Sequence, residues 1–362
     1  MRLTFVLPFT SLSGGVKVVF EHANWLVDHG HKVTIVYPLV PYRFGDGLAN
    51  TRRTWQQLRG LAANVLHHNT VPWFPVRATL RPVPAVRDPF VPDGDAVIAT
   101  AWPTAYSVAA LPPRKGEKFY FIQHYETWHG SRQAIDDSYR LPLKHIVVST
   151  WLERLMRERF GATVVGKVLN GVDHRVFYNP HKRFHKPRRV LLPYSRLPWK
   201  GTTDGLAAME LVRRTHPNVQ LVMYGLERGQ DVPPDIEFHL RPIGERLRRL
   251  YCSCDILLSP SHSEGFGLPP LEAMACKCAV VATRVGAILE YAIEGETVLT
   301  APPGDVEGLA AQVRRLLDDP QLLESLSLAA GSYVAQFSSE QASARFAHVL
   351  MANVPAGGSQ PL

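Results

Sequence analysis

Two glutamates flank a glycine-rich turn in the second half of the chain. The run SEGFGLPPLEAMAC (263–276) places Glu264 before Gly265 and Gly267, and Glu272 follows inside a predicted helix. Ionised carboxylates only accept hydrogen bonds, so this pair suits a ligand rich in hydroxyl donors, such as a sugar or a ribose. The glycines allow backbone N–H groups to approach an anion closely. Alternatively, Glu272 only complements the helix dipole and Glu264 is a solvated loop charge.

Two cations follow the first predicted strand of the second half. Arg196 and Lys200 lie in YSRLPWKG (194–201), after the apolar run RRVLLPYS. Arginine grips phosphate oxygens as a planar fork and lysine supplies a point charge, so the pair suits a diphosphate. Ordinary surface charge is the alternative interpretation.

The first half offers weaker candidates. His124 ends the predicted strand KFYFIQH (118–124), although an isolated histidine is more often an ordinary polar residue than a catalyst. Gly14 and Gly15 lie between the first predicted strand and the first helix, where their amides can face a ligand. They do not form a G-x-G-x-x-G motif, which counts against a nicotinamide site.

Strands and helices alternate throughout most of the chain, as in parallel α/β sheets. The pattern stops at the polar, proline-bearing run 177–188 and then restarts, which indicates two doubly wound, Rossmann-like domains facing across a cleft. We predict an N-terminal domain over 1–176 and a C-terminal domain over 177–337. A final helix over 338–353 is predicted to join the first domain, and residues 54–66 are predicted to form another helix. Further helices are predicted over 151–161, ended by Gly161, over 270–276, and from Asp319-Pro320 onward. Strands are predicted over 3–9, 31–39, 95–100, 118–124, 144–150, 188–195, 219–225, 255–261, 279–283 and 297–303.

The positive charge is concentrated in the first half. The net charge is +8, and residues 1–175 hold 21 Lys and Arg against 13 Asp and Glu, whereas residues 176–362 hold 19 of each. Such a half-molecule suits phosphates, a nucleic acid or an anionic membrane surface, with solvated surface as the alternative. No apolar run reaches the roughly 18 residues of a membrane span, and the N-terminus does not resemble a signal peptide. We therefore expect a cytoplasmic protein.

The four cysteines form two Cys-x-Cys pairs in apolar surroundings. They are Cys252, Cys254, Cys276 and Cys278. A spacing of one residue is unlike the usual zinc-binding pattern, so we interpret them as buried, reduced thiols, with a metal site as the less favoured alternative.

Six segments together resemble the retaining glycosyltransferases of family 4, which have the GT-B fold. Glu264 and Glu272 in EGFGLPPLEAMAC match the family's E-x7-E motif. The other matching segments are SGGVKVV (13–19), LNGVD (169–173), YSRLPWKG (194–201), VGAILE (285–290) and APPGD (301–305). In order and spacing they cover nearly the whole chain.

The resemblance implies a role for each candidate residue. Glu264 would contact the hydroxyls of the donor sugar and Glu272 the nucleotide ribose. His124, a better match than His129, would contact the transferred sugar. The further assignments are Arg196, Lys200 and Gly15 for the donor diphosphate, Gly265, Phe266, Gly267 and Leu268 for the loop around the donor sugar, and, as weaker candidates for the acceptor side, Gly14 and Glu126.

The implied activity is the transfer, with retention of configuration, of a hexosyl or deoxyhexosyl group. The donor would be a UDP-, GDP- or dTDP-sugar, and the acceptor a saccharide, a lipid-linked molecule or a small molecule in bacterial glycan biosynthesis. We expect no metal or other cofactor and no nucleic-acid partner. We do expect peripheral contact with an anionic membrane. The alternatives are a nucleotide-sugar epimerase of the same fold, and a basic module that binds membrane or nucleic acid.

Three positions depart from the family pattern near the proposed site. Lys277 and Ala287 stand where the family usually has glycine, and Ala279 stands where proline is common. A positive φ at Lys277 would cost about 1 kcal/mol relative to glycine. None of these positions is a candidate site residue.

Overall fold

A computed structural model describes residues 1–40, 42, 70–127 and 130–355. The helix predicted over 54–66 lies outside the described residues. Contacts divide the chain into unit 1, within Met1–Leu169 and Glu340–Leu362, and unit 2, Asn170–Ser339. No helix in the described part of the chain has the length and apolar character needed to cross a membrane.

Each unit contains one parallel sheet with the doubly wound strand order. The order is β3-β2-β1-β4-β5-β6-β7 in unit 1 and β10-β9-β8-β11-β12-β13 in unit 2. The strands are β1 (Arg2–Val6), β2 (Lys32–Pro38), β3 (Thr79–Val83), β4 (Ala96–Ala99), β5 (Glu117–Ile122), β6 (Lys144–Val147), β7 (Val164–Lys167), β8 (Arg189–Tyr194), β9 (Gln220–Gly225), β10 (Glu237–Leu240), β11 (Ile256–Ser259), β12 (Ala279–Thr283) and β13 (Leu299–Ala301).

Helices form most of the connections between consecutive strands, as is usual for parallel pairing. They are α1 (Gly14–Asp28), α2 (Trp102–Ala109), α3 (Arg132–Ser138), α4 (Thr150–Phe160), α5 (Thr202–Thr215), α6 (Gly244–Cys252), α7 (Leu268–Ala275), α8 (Ile288–Tyr291), α9 (Val306–Asp318), α10 (Pro320–Tyr333) and α11 (Ser339–Asn353). The predicted α/β class with two Rossmann-like halves is confirmed.

Local sequence explains several helix ends. Helix α4 ends at Gly161, which adopts a left-handed φ of 61°. The Asp319 carboxylate caps α10 by accepting hydrogen bonds from the N–H groups of Gln321 and Leu322, and Pro320 occupies the first turn. These ends confirm the predicted stop at Gly161 and the predicted start at Asp319-Pro320.

The central strands are fully buried and carry the apolar runs that predicted them. Every residue of β4, β11 and β12 is buried, as expected where helices cover both faces of a parallel sheet. The sequence did not predict the edge strands β3, β7 and β10. Strand β10 has no buried residue, so it lacks the apolar signal that identified the others.

Three of the four cysteines are buried and the fourth is half-buried. Cys254, Cys276 and Cys278 lie in the core of unit 2, and Cys252 ends α6. The predicted burial is confirmed for the first three of these free thiols, whereas Cys252 is only partly buried. Burial raises the pKa of Cys254 to about 11, so this thiol keeps its proton at neutral pH.

Strand order identifies where each sheet can bind a ligand. In unit 1 the order reverses between β1 and β4, and in unit 2 it reverses between β8 and β11. Loops that leave the carboxyl ends of such strands form a crevice in doubly wound sheets. The segments that follow β8 and β11 contain all the unit 2 candidates, from Arg196 to Glu272.

Candidate functional site

The glycine-rich loop connects β11 to α7 and is held by a buried tyrosine. Gly267 precedes α7 with a left-handed φ of 98°, and its carbonyl accepts a hydrogen bond of 2.7 Å from the Tyr291 hydroxyl. A Cβ at this position would lie 3.0 Å from the same hydroxyl. Both the backbone conformation and the close approach therefore require glycine here.

A second contact holds the loop from the segment 285–290. The N–H of Ala287 donates to the carbonyl of Phe266 at 3.1 Å, and the Phe266 ring stacks on Tyr291 with centroids 4.9 Å apart. A Cβ on Gly286 would lie 2.9 Å from Cβ of Glu264. The aromatic ring of Phe266 is thus buried in packing that supports the loop.

Glu264 lies beside the lysine that the sequence singled out. Its Oε1 accepts hydrogen bonds from Nζ of Lys200 at 2.7 Å and from Oγ of Ser261 at 2.8 Å. The side chains of Glu264 and Lys200 are 15% and 33% exposed, so the ion pair is shielded without being closed to solvent. The structure therefore brings together two candidates that are 64 residues apart in the chain. Ser261 was not predicted.

Arg196 has a different partner from Lys200. Its Nε lies 3.1 Å from Oε1 of Glu227, and both side chains are more than half exposed. It also lines a cavity of about 510 Å³ together with Tyr194 and Asp231. The loop that follows β8 forms part of the wall of this cavity. An exposed arginine on a short contact to one carboxylate is able to turn toward another anion at little cost.

Glu272 lies deeper than the sequence indicated. Helix α7 begins at Leu268, two residues before the predicted start at 270, so Glu272 is the fifth helical residue and lies beyond the first turn. The residue is only 6% exposed. Its Oε2 accepts a hydrogen bond of 3.2 Å from the hydroxyl of Tyr251, a residue that carried no sequence signal. The carboxylate is therefore part of a buried polar group, and a role limited to the helix dipole is not favoured.

In unit 1, the first glycine loop meets the segment that follows β5. Gly14 is the first residue of α1, whose cap is the Ser13 side chain. The carbonyl of Gly15 accepts a hydrogen bond of 3.0 Å from the side-chain amide of Gln123, and a Cβ on Gly15 would lie 3.3 Å from that amide nitrogen. Gln123 directly precedes His124, so the two candidate segments of unit 1 are in contact.

The ring of His124 has a defined orientation. Its Nδ1 lies 3.0 Å from the carbonyl oxygen of Tyr125, which only accepts, so Nδ1 carries the hydrogen. In the neutral ring Nε2 is then the basic nitrogen. The arrangement allows the imidazole to accept a proton at Nε2. His129, the weaker alternative to His124, lies outside the described residues.

Glu126 caps a helix. Its Oε2 accepts a hydrogen bond of 2.8 Å from the N–H of Trp102, the first residue of α2, whose preceding residue, Ala101, has no acceptor in its side chain. Burial raises the pKa of Glu126 to about 7. This carboxyl therefore changes charge near neutral pH while it stabilises the start of α2.

The three departures from the family pattern leave these contacts intact. Lys277 has a positive φ of 54° at a position where the family usually has glycine, so the condition for a cost of about 1 kcal/mol is met. Ala287 has an ordinary φ of −99°, so replacement of glycine there causes no strain.

The second unit matches a known sequence family. Residues 188–319 match the family model described as "Glycosyl transferases group 1". The chain is 30% identical over 266 residues to the glycogen synthase of Mycobacterium tuberculosis, an alignment that covers 65% of this chain and 63% of the synthase. It is 27% identical over 349 residues to the phosphatidyl-myo-inositol mannosyltransferase of Mycolicibacterium smegmatis, with 89% of this chain and 86% of that protein covered.

Solved structures share the fold across almost the whole chain. Sucrose-phosphate synthase from Thermosynechococcus elongatus superposes with a TM-score of 0.70 at 16% identity, covering 97% of this chain and 98% of that one. Anabaena HepE in complex with UDP-glucose gives a TM-score of 0.71 at 16% identity, with 97% and 100% covered. Together with the two doubly wound sheets, these likenesses show that the fold is GT-B, as predicted.

Proposed function

We propose that this protein is a retaining glycosyltransferase that uses a nucleotide-diphosphate sugar. The transferred group would be a hexosyl or deoxyhexosyl unit, and the acceptor a saccharide, a lipid-linked molecule or a small molecule. The proposal is supported by the family model over residues 188–319 and by relatives whose names describe glucan and mannosyl transfer. It is also supported by HepE, a structural neighbour solved with UDP-glucose.

The observation that carries the proposal is the pairing of Glu264 with Lys200 at the glycine-rich loop. The carboxylate and the ammonium lie 2.7 Å apart at the N-terminus of α7. A sugar diphosphate presents hydroxyl donors and anionic oxygens side by side. Its hydroxyls can donate to Glu264 and its phosphate oxygens can pair with Lys200, so each side chain exchanges its present partner for a group of the ligand. The positive end of the α7 dipole favours the same anion, although Pro269 and Pro270 in its first turn have no N–H to donate.

In this mechanism the charged groups stabilise the departing nucleotide. Negative charge builds up on the phosphate as the glycosidic bond breaks, and Lys200, with Arg196 turned from Glu227, would balance it. Glu264 would hold the sugar hydroxyls and Glu272 the ribose hydroxyls, so neither needs to act as a nucleophile. The departing phosphate oxygen would accept the acceptor proton on the same face, which accounts for retention.

We assign acceptor binding to unit 1, and we assign His124 to contact with the transferred sugar. Its Nδ1 donates to the Tyr125 carbonyl, which leaves Nε2 as the basic atom. Gly14, Gly15 and Glu126 are assigned to the surroundings of this group. No metal is required, because Lys200 and Arg196 supply positive charge for the diphosphate.

The test is a donor screen on the full chain. Thermal shift and calorimetry against UDP, GDP, ADP and dTDP would identify the base, and the matching sugar nucleotides would then be incubated with and without a panel of acceptors. We expect one nucleotide to raise the melting temperature and acceptor-dependent transfer to follow, with the product anomer read by NMR. Activity should persist in EDTA.

Three results would count against the proposal. Absence of binding by all four nucleotides would remove the donor site. Clean epimerisation of the donor without any dependence on acceptor would favour the epimerase alternative. Inversion at the anomeric carbon would exclude the retaining mode and leave the transferase class intact.

A further inference from the structure

A buried tyrosine provides a hydrogen-bond donor to Glu272 inside unit 2. Tyr251 lies at the end of α6, has no solvent exposure, and donates to Oε2 of Glu272 at 3.2 Å. The hydroxyl of Tyr224, near the carboxyl end of β9, lies 3.0 Å from the Tyr251 hydroxyl. Three polar groups from β9, α6 and α7 therefore form one chain.

The direction of this chain follows from the number of protons. Each phenol has one proton, and the Tyr251 hydroxyl donates its proton to Oε2 of Glu272. Tyr224 must then donate to the oxygen of Tyr251. Burial raises the pKa of both phenols, so both keep their protons at neutral pH.

Packing fixes the inner phenol in place. The rings of Tyr224 and Tyr251 meet edge to face at 6.1 Å and 82°, and Phe177 packs against Tyr251 at 6.1 Å. A glutamate side chain has several rotamers of similar energy, and a rigid, fully buried donor favours one of them. Glu272 is therefore held before any ligand arrives.

We propose that Tyr251 and Tyr224 are positioning residues that hold Glu272 for recognition of ribose hydroxyls, and so set a preference for ribonucleotides over deoxyribonucleotides. The inference rests on the proposed nucleotide-sugar function. A carboxylate accepts several hydrogen bonds at once, so the bond from Tyr251 is compatible with donors from a ribose. A buried acceptor built to receive a ligand hydroxyl discriminates against the analogue that lacks it, because the acceptor loses its partner.

The experiment measures a ratio of affinities on the full chain. Dissociation constants for UDP, GDP and ADP are compared by calorimetry with those of their 2′-deoxy and 3′-deoxy counterparts. We expect the wild type to favour the ribonucleotide that it binds by about tenfold or more. Tyr251→Phe keeps the ring and should reduce this ratio about three- to tenfold, and Tyr224→Phe should reduce it about twofold.

A matched control separates positioning from stability. Ser327 is fully buried in α10 and donates to the carbonyl of Lys277 at 2.7 Å, so Ser327→Ala also removes a buried hydrogen bond from unit 2. It should lower the melting temperature and leave the affinity ratio at the wild-type value. If Tyr251→Phe does not fold, Tyr224→Phe at the more accessible end of the chain carries the test.

The outcomes distinguish the two proposals. A wild type that binds no nucleoside diphosphate overturns the proposed function and this inference with it. A wild type that binds a ribonucleotide preferentially supports both proposals. A wild type that prefers dTDP, which lacks the 2′-hydroxyl, or binds the deoxy counterparts equally well overturns this inference and leaves the proposed function standing. If Tyr251→Phe and Tyr224→Phe then keep the full preference, the positioning role is overturned and the proposed function stands.

Discussion

The two units share one strand order and differ in the chemistry of their loops and cores. Both sheets are parallel. Their strand order reverses between the third and fourth strands of the sheet, at β1 and β4 in unit 1 and at β8 and β11 in unit 2. Unit 2 places carboxylates and a lysine in hydrogen-bonded contact at its crevice, with Glu264 and Lys200 2.7 Å apart. Unit 1 buries neutral histidines in its core, and the first 175 residues hold 21 cationic against 13 acidic side chains.

The difference teaches that the sheet topology provides only the scaffold. The same doubly wound fold supports unrelated chemistry, and the loops at the carboxyl ends of its strands decide which. In unit 2 those loops form a polar site in which Glu264 accepts hydrogen bonds from Lys200 and Ser261. In unit 1 the corresponding segments hold one another, through Gln123 and Gly15, and present His124.

The largest effect is expected at Glu264. Glu264→Gln removes the carboxylate charge to which Lys200 and Ser261 donate hydrogen bonds. It also weakens the proposed acceptor of the sugar hydroxyls. We expect transfer to fall about 100- to 1000-fold with unchanged circular dichroism, as for loss of one strong transition-state contact. Glu307→Gln, which neutralises an exposed acid in α9, is the matched control and should keep full activity. Near-normal turnover by Glu264→Gln would contradict the site assignment.

A smaller loss is expected at Lys200. Lys200→Ala should weaken binding of the nucleotide diphosphate about tenfold, because a charge-assisted contact to phosphate is lost. Calorimetry measures the change, and Arg214→Ala, which removes an exposed cation of α5, should leave the affinity intact. An equal loss in both variants would mean that net charge, and not position, governs binding.

Unit 1 should respond to acid through its buried histidines. Burial lowers the pKa of His22 to about 3 and that of His145 to about 4, from 6.5. Because the folded pKa values lie below the unfolded value, the unfolded state binds more protons below pH 6.5, and stability falls as the pH drops toward 4. Each histidine contributes a slope of about 1.4 kcal/mol per pH unit in that range.

Hydrogen exchange measured at pH 7.5 and pH 5.5 would localise this effect. Amides of β6 should lose protection at the lower pH, and His145→Phe should flatten the dependence because it removes one titrating group. An unchanged slope in His145→Phe would show that other groups cause the acid sensitivity.

Two glycines with similar backbone angles offer a direct comparison of the units. Gly267 and Gly30 have φ values of 98° and 82°, but a Cβ would meet the Tyr291 hydroxyl only at Gly267 and nothing within 4 Å at Gly30. We expect Gly30→Ala to cost about 1 kcal/mol from strain alone and Gly267→Ala to cost about 2 kcal/mol. Denaturant unfolding measures both, and only Gly267→Ala should also weaken nucleotide binding.

The smallest expected effect concerns the basic excess of the first half. The chain should sediment with anionic vesicles at low salt and leave them at high salt, because exposed charges are screened beyond about 10 Å at 0.1 M. Vesicles of neutral phosphatidylcholine are the control. Failure to bind anionic vesicles at low salt would contradict peripheral membrane contact.

Much of the scaffold was predictable from local patterns. Residues that are neighbours in the chain determine the central strands, the helix end at Gly161 and the helix cap at Asp319. These features can therefore be recognised from the sequence alone. The edge strand β10 was missed because all four of its residues lack burial and hence a distinct apolar signal. The start of α7 was misplaced by two residues because Pro269 and Pro270 are compatible with either start.

The candidate site was predictable in part. Spacing and residue type singled out Glu264, Glu272 and Lys200, because the glycine loop and the helix between the two glutamates are local features. The partners Ser261, Tyr251 and Tyr291 were missed, since a buried tyrosine has the same sequence appearance as any other core aromatic residue.

The sequence by itself determined the order of strands and helices, the glycine loop and the residue types available to the site. Only the tertiary structure decided that Lys200 meets Glu264 and that Tyr251 donates to Glu272. These contacts join residues 64 and 21 positions apart, and such separations become contacts only when the parallel strands bring their carboxyl ends to one edge of the sheet.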